Sequence, residues 1–246
     1  TSFYVMAPVC TPSRAGLMTG CYPRRVGLAR GSWRGVLFPK DPHGINSEEK
    51  TVAEVLKDAG YATGCFGKWH LGDQPKFLPT RHGFDEFFGI PYSNDMWGGH
   101  KKWDFPPLPL MRDEKPVRSI DTEADQSELC KLVTDEAARF IRDNKNRPFL
   151  AYVPYSFIHN PRHPRERFRE NARNPDKATG GAIEEVDWSV GQILATIREC
   201  GIAENTLVVF TSDNGGARGT VNAPLRGGKG SPFEGGMREP TLAWWP

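Results

Sequence analysis

Helical and strand-like patterns alternate along this chain, and the alternation restricts its fold more than any other feature of the sequence. Apolar, strand-like runs occur at 61–66, 149–155 and 207–211. Between them, apolar residues recur with helical spacing at 129–141 and 183–197. Strands that alternate with helices are typical of a parallel sheet. We therefore predict an α/β fold with a largely parallel, mixed central sheet and helices on both faces, and we expect the 207–211 strand to be buried.

Shorter elements are predicted from capping residues and from turn composition. Thr11 is expected to cap a helix that Gly20 ends, and Ser47 to cap a second helix that Gly60 ends. Residues 72–120 are rich in Pro, Gly and aromatic residues without a clear period, so we predict one long ordered excursion there. The tryptophans that we expect in the core or at its rim, rather than in a ligand platform, are Trp97, Trp103, Trp244 and Trp245.

Composition excludes several classes of protein. The 246 residues carry a formal net charge of +2, which gives no footprint for nucleic acid. No apolar stretch is long enough to span a membrane. The arginines at 162, 165, 167 and 169 are expected either to form a solvated helix face or to attract an anionic substrate. The chain starts without Met and stops inside an apolar run, so we predict one partial domain, 1–246, truncated at both ends.

Polar side chains capable of chemistry follow each predicted strand. Lys68 and His70 come after the first strand, His159 after the second, and Asp213 and Asn214 after the third. In open α/β sheets, ligands bind beyond the carboxyl ends of the strands. The sequence therefore predicts a site at this edge of the sheet, built from cations, histidines and oxygen ligands.

The segment 10–14, Cys-Thr-Pro-Ser-Arg, continues with Leu17, Thr19 and Gly20 and resembles the modification motif of the sulfatase family. All positions of the family pattern, Cys-x-Pro-x-Arg followed by Leu-x-Thr-Gly, are matched. A lone buried cysteine is more often structural, but the complete motif argues against that reading. The resemblance implies that a formylglycine-generating enzyme oxidises Cys10 to formylglycine. It also implies that the formylglycine hydrate attacks sulfur and that Arg14 stabilises it.

Two further motifs of the family carry cations. The segment 67–72, Gly-Lys-Trp-His-Leu-Gly, implies that Lys68 holds a sulfate oxygen and that His70 takes a proton during sulfate release. The Gly-rich segment 227–230 implies that Lys229 contacts the sulfate and the leaving oxygen. Taken alone, each lysine could face solvent and the histidine could be structural. The family context favours the catalytic roles.

The remaining resemblances concern a metal ion, a general acid and a sulfate ligand. Asp213 and Asn214 match the metal-binding turn of the family, which implies Ca²⁺ or Mg²⁺ bound together with the side chain at Cys10. The alternative is an ordinary Asx turn. His159 resembles the histidine that protonates the departing alcohol, with His163 as a competing candidate. Ser93 resembles a sulfate-binding serine of arylsulfatases, or else packs the loop.

The resemblance covers nearly the whole chain and is greatest to the arylsulfatase A and N-acetylgalactosamine-6-sulfatase branch. It implies an alkaline-phosphatase-like fold and hydrolysis of sulfate esters, with a sulfated sugar as the expected substrate. The family also has a pair of aspartates on a strand upstream of the cysteine and a small C-terminal domain, and neither is present in this sequence. No Asn-x-Ser/Thr acceptor occurs, so we expect a bacterial enzyme exported to the periplasm or medium rather than a lysosomal one.

Two other functions stay open from the sequence. One is a related hydrolase of the alkaline phosphatase superfamily that acts on phosphate or phosphonate esters. The other is a sulfatase-like protein that binds sulfated glycans without turnover. The intact Cys10, Lys68, His70 and Lys229 argue against the second alternative.

Overall fold

The computed structural model describes residues 2–29, 31, 35–217 and 220–246. The chain forms two compact units. The first unit comprises Thr1–Val52, His70–Phe77 and Ala203–Pro246, and the second comprises Ala53–Trp69 and Leu78–Ile202. No helix in the described ranges is both long enough and apolar enough to cross a membrane.

The secondary structure alternates as the sequence predicts. The strands are β1 (Phe3–Tyr4), β2 (Ala62–Lys68), β3 (Glu86–Ile90), β4 (Leu108–Arg112), β5 (Lys115–Ile120), β6 (Phe149–Tyr152), β7 (Val208–Thr211), β8 (Arg238–Glu239) and β9 (Thr241–Trp244). The α-helices are α1 (Cys10–Thr19), α2 (Val52–Asp58), α3 (Glu123–Asn144), α4 (Glu166–Asn171), α5 (Lys177–Glu199) and α6 (Glu234–Met237). Short 3₁₀ turns occupy Pro75–Phe77, Pro79–Arg81 and Ala203–Asn205.

The second unit contains a five-stranded mixed sheet with the order β5-β4-β3-β2-β6. β2 is parallel to both β3 and β6, whereas β3, β4 and β5 pair antiparallel. Every residue of β2 is buried, as expected for a central strand. α3 packs on β2 and β6, and α5 packs on α3. The predicted α/β fold with a mixed sheet and helices is confirmed.

Helix α3 shows how local sequence positions these elements. Thr122 is its N-cap, and the Thr122 Oγ1 atom accepts a hydrogen bond from the Asp125 backbone N–H at 3.1 Å. The Asp125 carboxylate accepts one in return from the Thr122 N–H at 3.0 Å. This capping box fixes the start of the helix. Phe140 then contacts Phe66 of β2, with ring centroids 5.2 Å apart, so the helix is held against the sheet.

The first unit contains α1 and two antiparallel pairs of strands, β1 with β8 and β7 with β9. The prediction that β7 is buried is wrong, because Val209 is 57% exposed. Within the described ranges β7 bonds to β9 alone, and a two-stranded ribbon covers little of its own faces. Gly20 ends α1 as predicted, in the left-handed conformation with φ 66°.

Three local predictions differ from the structure. Helix α1 begins at Cys10 with Val9 as its N-cap, so Thr11 lies in the first turn and is not the cap. Helix α2 begins at Val52, several residues after the cap predicted at Ser47. The region 72–120, predicted to lack regular structure, contains three strands. Two of them, β4 and β5, were not predicted because prolines inside them obscure the alternating pattern. The prediction of a single truncated domain stays a prediction.

Candidate functional site

Cys10 lies in the first turn of α1 and is buried. The backbone before it is extended at Val9, with φ −143° and ψ 156°, so the chain enters the helix sharply at this point. The first N–H groups of an α-helix have no partner inside the helix and carry partial positive charge. Cys10 therefore lies where an anionic group is stabilised by the backbone itself.

Lys229 reaches Cys10 from a distant part of the sequence. Its Nζ atom lies 3.3 Å from the Cys10 Sγ atom. The loop is held by two backbone bonds, from Lys229 N–H to the Gly216 carbonyl at 3.1 Å and from Gly230 N–H to the Pro8 carbonyl at 2.8 Å. A Cβ atom at Gly228 would lie 2.6 Å from the Gly216 carbonyl oxygen, so glycine is required there. The two residues predicted to act on one sulfate are therefore neighbours.

Arg14 lies one helical turn after Cys10 and binds the predicted metal turn. The Arg14 Nε atom donates to the Asp213 carboxylate at 2.8 Å, and the guanidinium is buried. Residues four apart lie on the same face of a helix. α1 thus presents Cys10 and Arg14 together, and Arg14 fixes the carboxylate that follows β7.

Asn214 supplies an oxygen suited to a cation. Its Nδ2 atom donates to the Gly215 carbonyl at 3.0 Å, whereas its buried Oδ1 atom has no hydrogen-bond partner among the described residues. An unsatisfied buried oxygen costs about 1–3 kcal/mol, and a hard cation would satisfy it. Asp213 and Asn214 therefore fit Ca²⁺ or Mg²⁺ as part of a donor set. The described ranges contain no group of three or more His, Cys, Asp or Glu placed to hold a metal.

Glu239 is a residue of this region to which the sequence analysis assigned no role. It is buried at the end of β8, and its Oε1 atom has no hydrogen-bond partner in the described part of the chain. Burial, with a smaller contribution from the charge of Asp213, raises the pKa of Glu239 to about 7. The sequence offered one indication, its place two residues after the segment 233–237 and directly before Pro240.

His70 is buried, and the backbone of Leu37 connects it by hydrogen bonds to Thr11 at the start of α1. Its Nε2 atom lies 3.0 Å from the Leu37 carbonyl oxygen. The Leu37 N–H donates to the Thr11 Oγ1 atom at 3.3 Å. Because a carbonyl oxygen can only accept, Nε2 carries the proton and Nδ1 is the basic nitrogen. His70 also has φ 63°, a conformation that is uncommon for non-glycine residues and enriched at functional sites, although Lys40 and Asp113 share it here.

The second unit contains a polar cluster of three predicted site residues. The buried Lys68 ends β2, and its Nζ atom donates to the Ser93 Oγ atom at 3.0 Å. The Ser93 Oγ atom lies 3.5 Å from the His159 Nδ1 atom. The structure therefore brings together the lysine, the serine and the histidine predicted from three separate motifs.

The surroundings of the two candidate histidines distinguish them. The His159 Nδ1 atom lies 2.6 Å from the Asn160 carbonyl oxygen, so it carries the proton and leaves Nε2 for proton transfer. The Asp95 carboxylate is 3.8 Å away, a neighbour that the sequence did not indicate. His163 instead pairs with Glu123 at 3.5 Å. The geometry favours His159 because it alone of the two contacts the lysine–serine pair.

The arginine run that follows has a structural role. Arg165 donates to the fully buried Glu185 at 2.7 Å, and its guanidinium lies 4.5 Å from the ring centroid of Trp188. Arg167 lies 5.0 Å from the same ring. These two arginines hold α4 against α5 instead of forming a freely solvated face.

Comparison with known proteins identifies the relatives of this chain. The family model named Sulfatase matches residues 1–246. The N-acetylgalactosamine-6-sulfatase of Sus scrofa is 39% identical over 262 residues, covering 100% of this chain and 49% of the relative. Human arylsulfatase A is 39% identical over 272 residues, covering 100% of this chain and 51% of the relative. The chain thus spans about half the length of the curated relatives it matches.

Solved structures give the same result. The PsFucS1 sulfatase from Pseudoalteromonas sp. superposes with a TM-score of 0.86 at 31% identity, covering 100% of this chain and 54% of that one. The complex of Ps i-CgsB with k-i-k-neocarrahexaose superposes with a TM-score of 0.83 at 31% identity, covering 100% and 57%. The neighbours confirm the alkaline-phosphatase-like fold that the resemblance implies.

Proposed function

The chain belongs to the sulfatase family, and on that premise we propose that the protein hydrolyses sulfate esters through a formylglycine derived from Cys10. The observation that carries the proposal is the 3.3 Å contact between Lys229 Nζ and Cys10 Sγ at the start of α1. A cation and a helix N-terminus converge on the side chain that would become the nucleophile. Such preorganised charge is usually the largest contribution to catalysis.

We further propose a sulfated sugar as the substrate. The support comes from the names of relatives, which include N-acetylgalactosamine-6-sulfatase, and from a similar structure bound to k-i-k-neocarrahexaose. The sulfate group alone is addressed by the residues described above. The alcohol part of the substrate needs contacts of its own.

Formylglycine at position 10 would supply, as its hydrate, one hydroxyl that attacks sulfur and a second whose deprotonation expels sulfate. The N-terminus of α1 and Lys229 would stabilise negative charge at that position. His70, with Nδ1 as its basic nitrogen, is suited to accept the proton released when sulfate leaves. Arg14 would keep the Asp213 carboxylate oriented.

The metal would be Ca²⁺ or Mg²⁺, held by Asp213, Asn214 and the side chain at position 10. It would contribute positive charge toward the sulfuryl oxygens. In the second unit, the mutual contacts of Lys68, Ser93 and His159 support their acting as a group. We propose that Lys68 and Ser93 bind sulfate oxygens and that His159 protonates the departing alcohol.

The first experiment compares turnover of 4-nitrophenyl sulfate with that of 4-nitrophenyl phosphate. The full protein is co-expressed with a formylglycine-generating enzyme and assayed with and without Ca²⁺. We expect Ca²⁺-dependent sulfate release that Cys10→Ala abolishes. Preference for the phosphate would assign the protein to the sister hydrolases instead. Normal sulfate turnover by Cys10→Ala would overturn the proposal, and mass spectrometry of the Cys10 peptide checks that conversion took place.

A further inference from the structure

The loop 92–107 in the second unit is closed at its base and contains the proposed sulfate-binding serine as its second residue. The Tyr92 hydroxyl donates to the Pro107 carbonyl at 3.4 Å, which brings the two ends of the loop together. Ser93 follows Tyr92 directly and accepts the hydrogen bond from Lys68. Compact loops with joined ends are frequently functional. A ligand group bound on this loop would therefore lie on the same element as Ser93.

Three aromatic side chains in this loop are ordered against one another. The His100 Nδ1 atom accepts hydrogen bonds from the backbone N–H groups of Lys102 at 3.2 Å and Trp103 at 2.9 Å. The Phe105 ring packs edge-on against His100 with centroids 5.2 Å apart. Trp103 lies nearly parallel to Phe105, at 6.3 Å and an angle of 17°. The indole is thus supported in one orientation instead of projecting at random.

The supported tryptophan is largely exposed, and the ammonium group of Lys102 lies near its ring. Trp103 is 46% exposed, whereas Trp97 earlier in the same loop is 9% exposed and joins the core as expected. The Lys102 Nζ atom lies 5.8 Å from the centroid of the Trp103 ring, and Lys101 beside it is exposed. Asp104 is the single acidic residue between 97 and 107, so the segment carries two lysines and one acidic residue. An exposed indole with one ammonium group near its ring and a second lysine next in the chain suits a ligand that has an apolar face and an anionic group.

We propose that Trp103, with Lys101 and Lys102, forms a binding platform for a sugar ring of an anionic glycan. The C–H face of a pyranose would pack on the exposed indole, and a sulfate or carboxylate of the glycan would pair with the two lysines. The inference rests on the proposed function and extends it, because it names where the part of the substrate beyond the cleaved sulfate binds. It also replaces the expectation that Trp103 is a rim residue without a ligand.

Direct binding tests the platform independently of turnover. Cys10→Ala protein is titrated calorimetrically with tetrasaccharides of chondroitin 6-sulfate and of κ-carrageenan. We expect Trp103→Ala in this background to weaken binding of at least one of them tenfold or more, and Trp103→Phe to weaken it less. Lys115→Ala and Tyr22→Ala, which change an exposed lysine and an exposed aromatic outside the loop, serve as matched controls. Equal affinity in Trp103→Ala, or no binding of either tetrasaccharide by the parent, overturns the inference.

Kinetics separate a binding platform from a merely structural tryptophan. In converted protein, the ratio of kcat/KM for the preferred tetrasaccharide to kcat/KM for 4-nitrophenyl sulfate should fall about tenfold in Trp103→Ala, through KM. An equal loss on both substrates would show that Trp103 maintains the fold, and it would overturn the platform. If the parent released no sulfate from any substrate, the proposed function would be wrong. The calorimetric comparison would still show whether Trp103 binds the glycan.

Discussion

The Lys229 Nζ atom lies 3.3 Å from the Cys10 Sγ atom, although 219 positions separate the two residues in the sequence. The contact depends on backbone bonds from the lysine loop to Gly216 and Pro8, and on a glycine that permits the approach. A charge held by the backbone needs little reorganisation when negative charge develops beside it. The lysine is therefore preorganised for the proposed chemistry and is not a mobile surface cation.

Lys229→Ala should lower kcat on 4-nitrophenyl sulfate by about 10²–10³-fold, the cost typical of removing one preorganised group that stabilises a transition-state charge. The measurement is steady-state turnover, normalised to the fraction of Cys10 converted in each preparation. Lys115→Ala is the control, because Lys115 is an exposed residue of β5. A decrease of less than threefold for Lys229→Ala would refute the proposed role.

Asn214→Ala should weaken Ca²⁺ binding by at least about 10–100-fold, because removal of a direct ligand should cost no less than loss of a group that only orients the ligands, which costs that much. The reason is that its buried Oδ1 atom, which lacks a partner among the described side chains and backbone groups, is the oxygen offered to the ion. Calorimetric titration of metal-free protein gives the Kd without any need for activity. Asn205→Ala, an exposed asparagine in a 3₁₀ turn, is the control. Unchanged Ca²⁺ affinity in Asn214→Ala would remove Asn214 from the donor set.

His159→Gln should impair turnover of a sugar sulfate far more than turnover of 4-nitrophenyl sulfate. A sugar alkoxide must be protonated as it departs, whereas 4-nitrophenolate leaves readily without an acid. General acid catalysis contributes about 10²–10⁴-fold, so a loss of that size is expected on the sugar sulfate. His163→Gln is the matched control, since His163 pairs with Glu123. Equal losses on both substrates would exclude His159 as the acid.

Cys130 should resist alkylation in the native protein. Burial, with a smaller contribution from Glu185, raises the pKa of Cys130 to about 12. At pH 8 only about one such thiol in ten thousand is ionised, and the thiolate is the reactive form. With iodoacetamide, peptides containing the partly exposed Cys21 and Cys200 should therefore be labelled well before the Cys130 peptide. Labelling is followed by mass spectrometry over time. Comparable rates for Cys130 and Cys200 would contradict this account.

The sequence alone predicts the placement of site residues that belong to local motifs. It does not predict the contacts that long-range packing creates. Lys68 ends a strand, Asp213 follows one and Cys10 starts a helix, so their placement could be predicted from element order to within one residue. The contact of His70 with the Leu37 carbonyl and the contact of Asp95 with His159 could not be predicted. They depend on backbone atoms and loop paths that leave no periodic signal.

The exposure of strand β7 illustrates the same limit. Its apolar residues predict burial, but burial depends on which strands lie beside it, and the described ranges provide only β9. The strands β4 and β5 were missed for a related reason. Both contain prolines. β5 lies at the edge of the sheet, which tolerates proline, whereas β4 is an inner strand whose Pro109 pairs with β5 outside the part of β4 that pairs with β3. These positions are known only from the structure.

Arg165→Ala should cost about 3–5 kcal/mol of unfolding free energy, because it leaves the fully buried Glu185 without its ionic partner. Burial raises the pKa of Glu185 above its ordinary value, while the bonds from Arg165 oppose that rise. Without the arginine the folded-state pKa rises further, so the folded protein binds the proton more tightly than the unfolded chain does. The stability of the Arg165→Ala protein then falls as pH increases from the unfolded-state pKa of Glu185 through its higher folded-state pKa. The destabilisation should therefore be larger at pH 8 than at pH 5 when measured by urea unfolding.

Arg167→Ala, which removes only a contact with aromatic rings, should cost about 1 kcal/mol or less at both pH values. Equal costs for the two variants, or a cost of Arg165→Ala that does not change with pH, would contradict a role for Arg165 in compensating the buried charge.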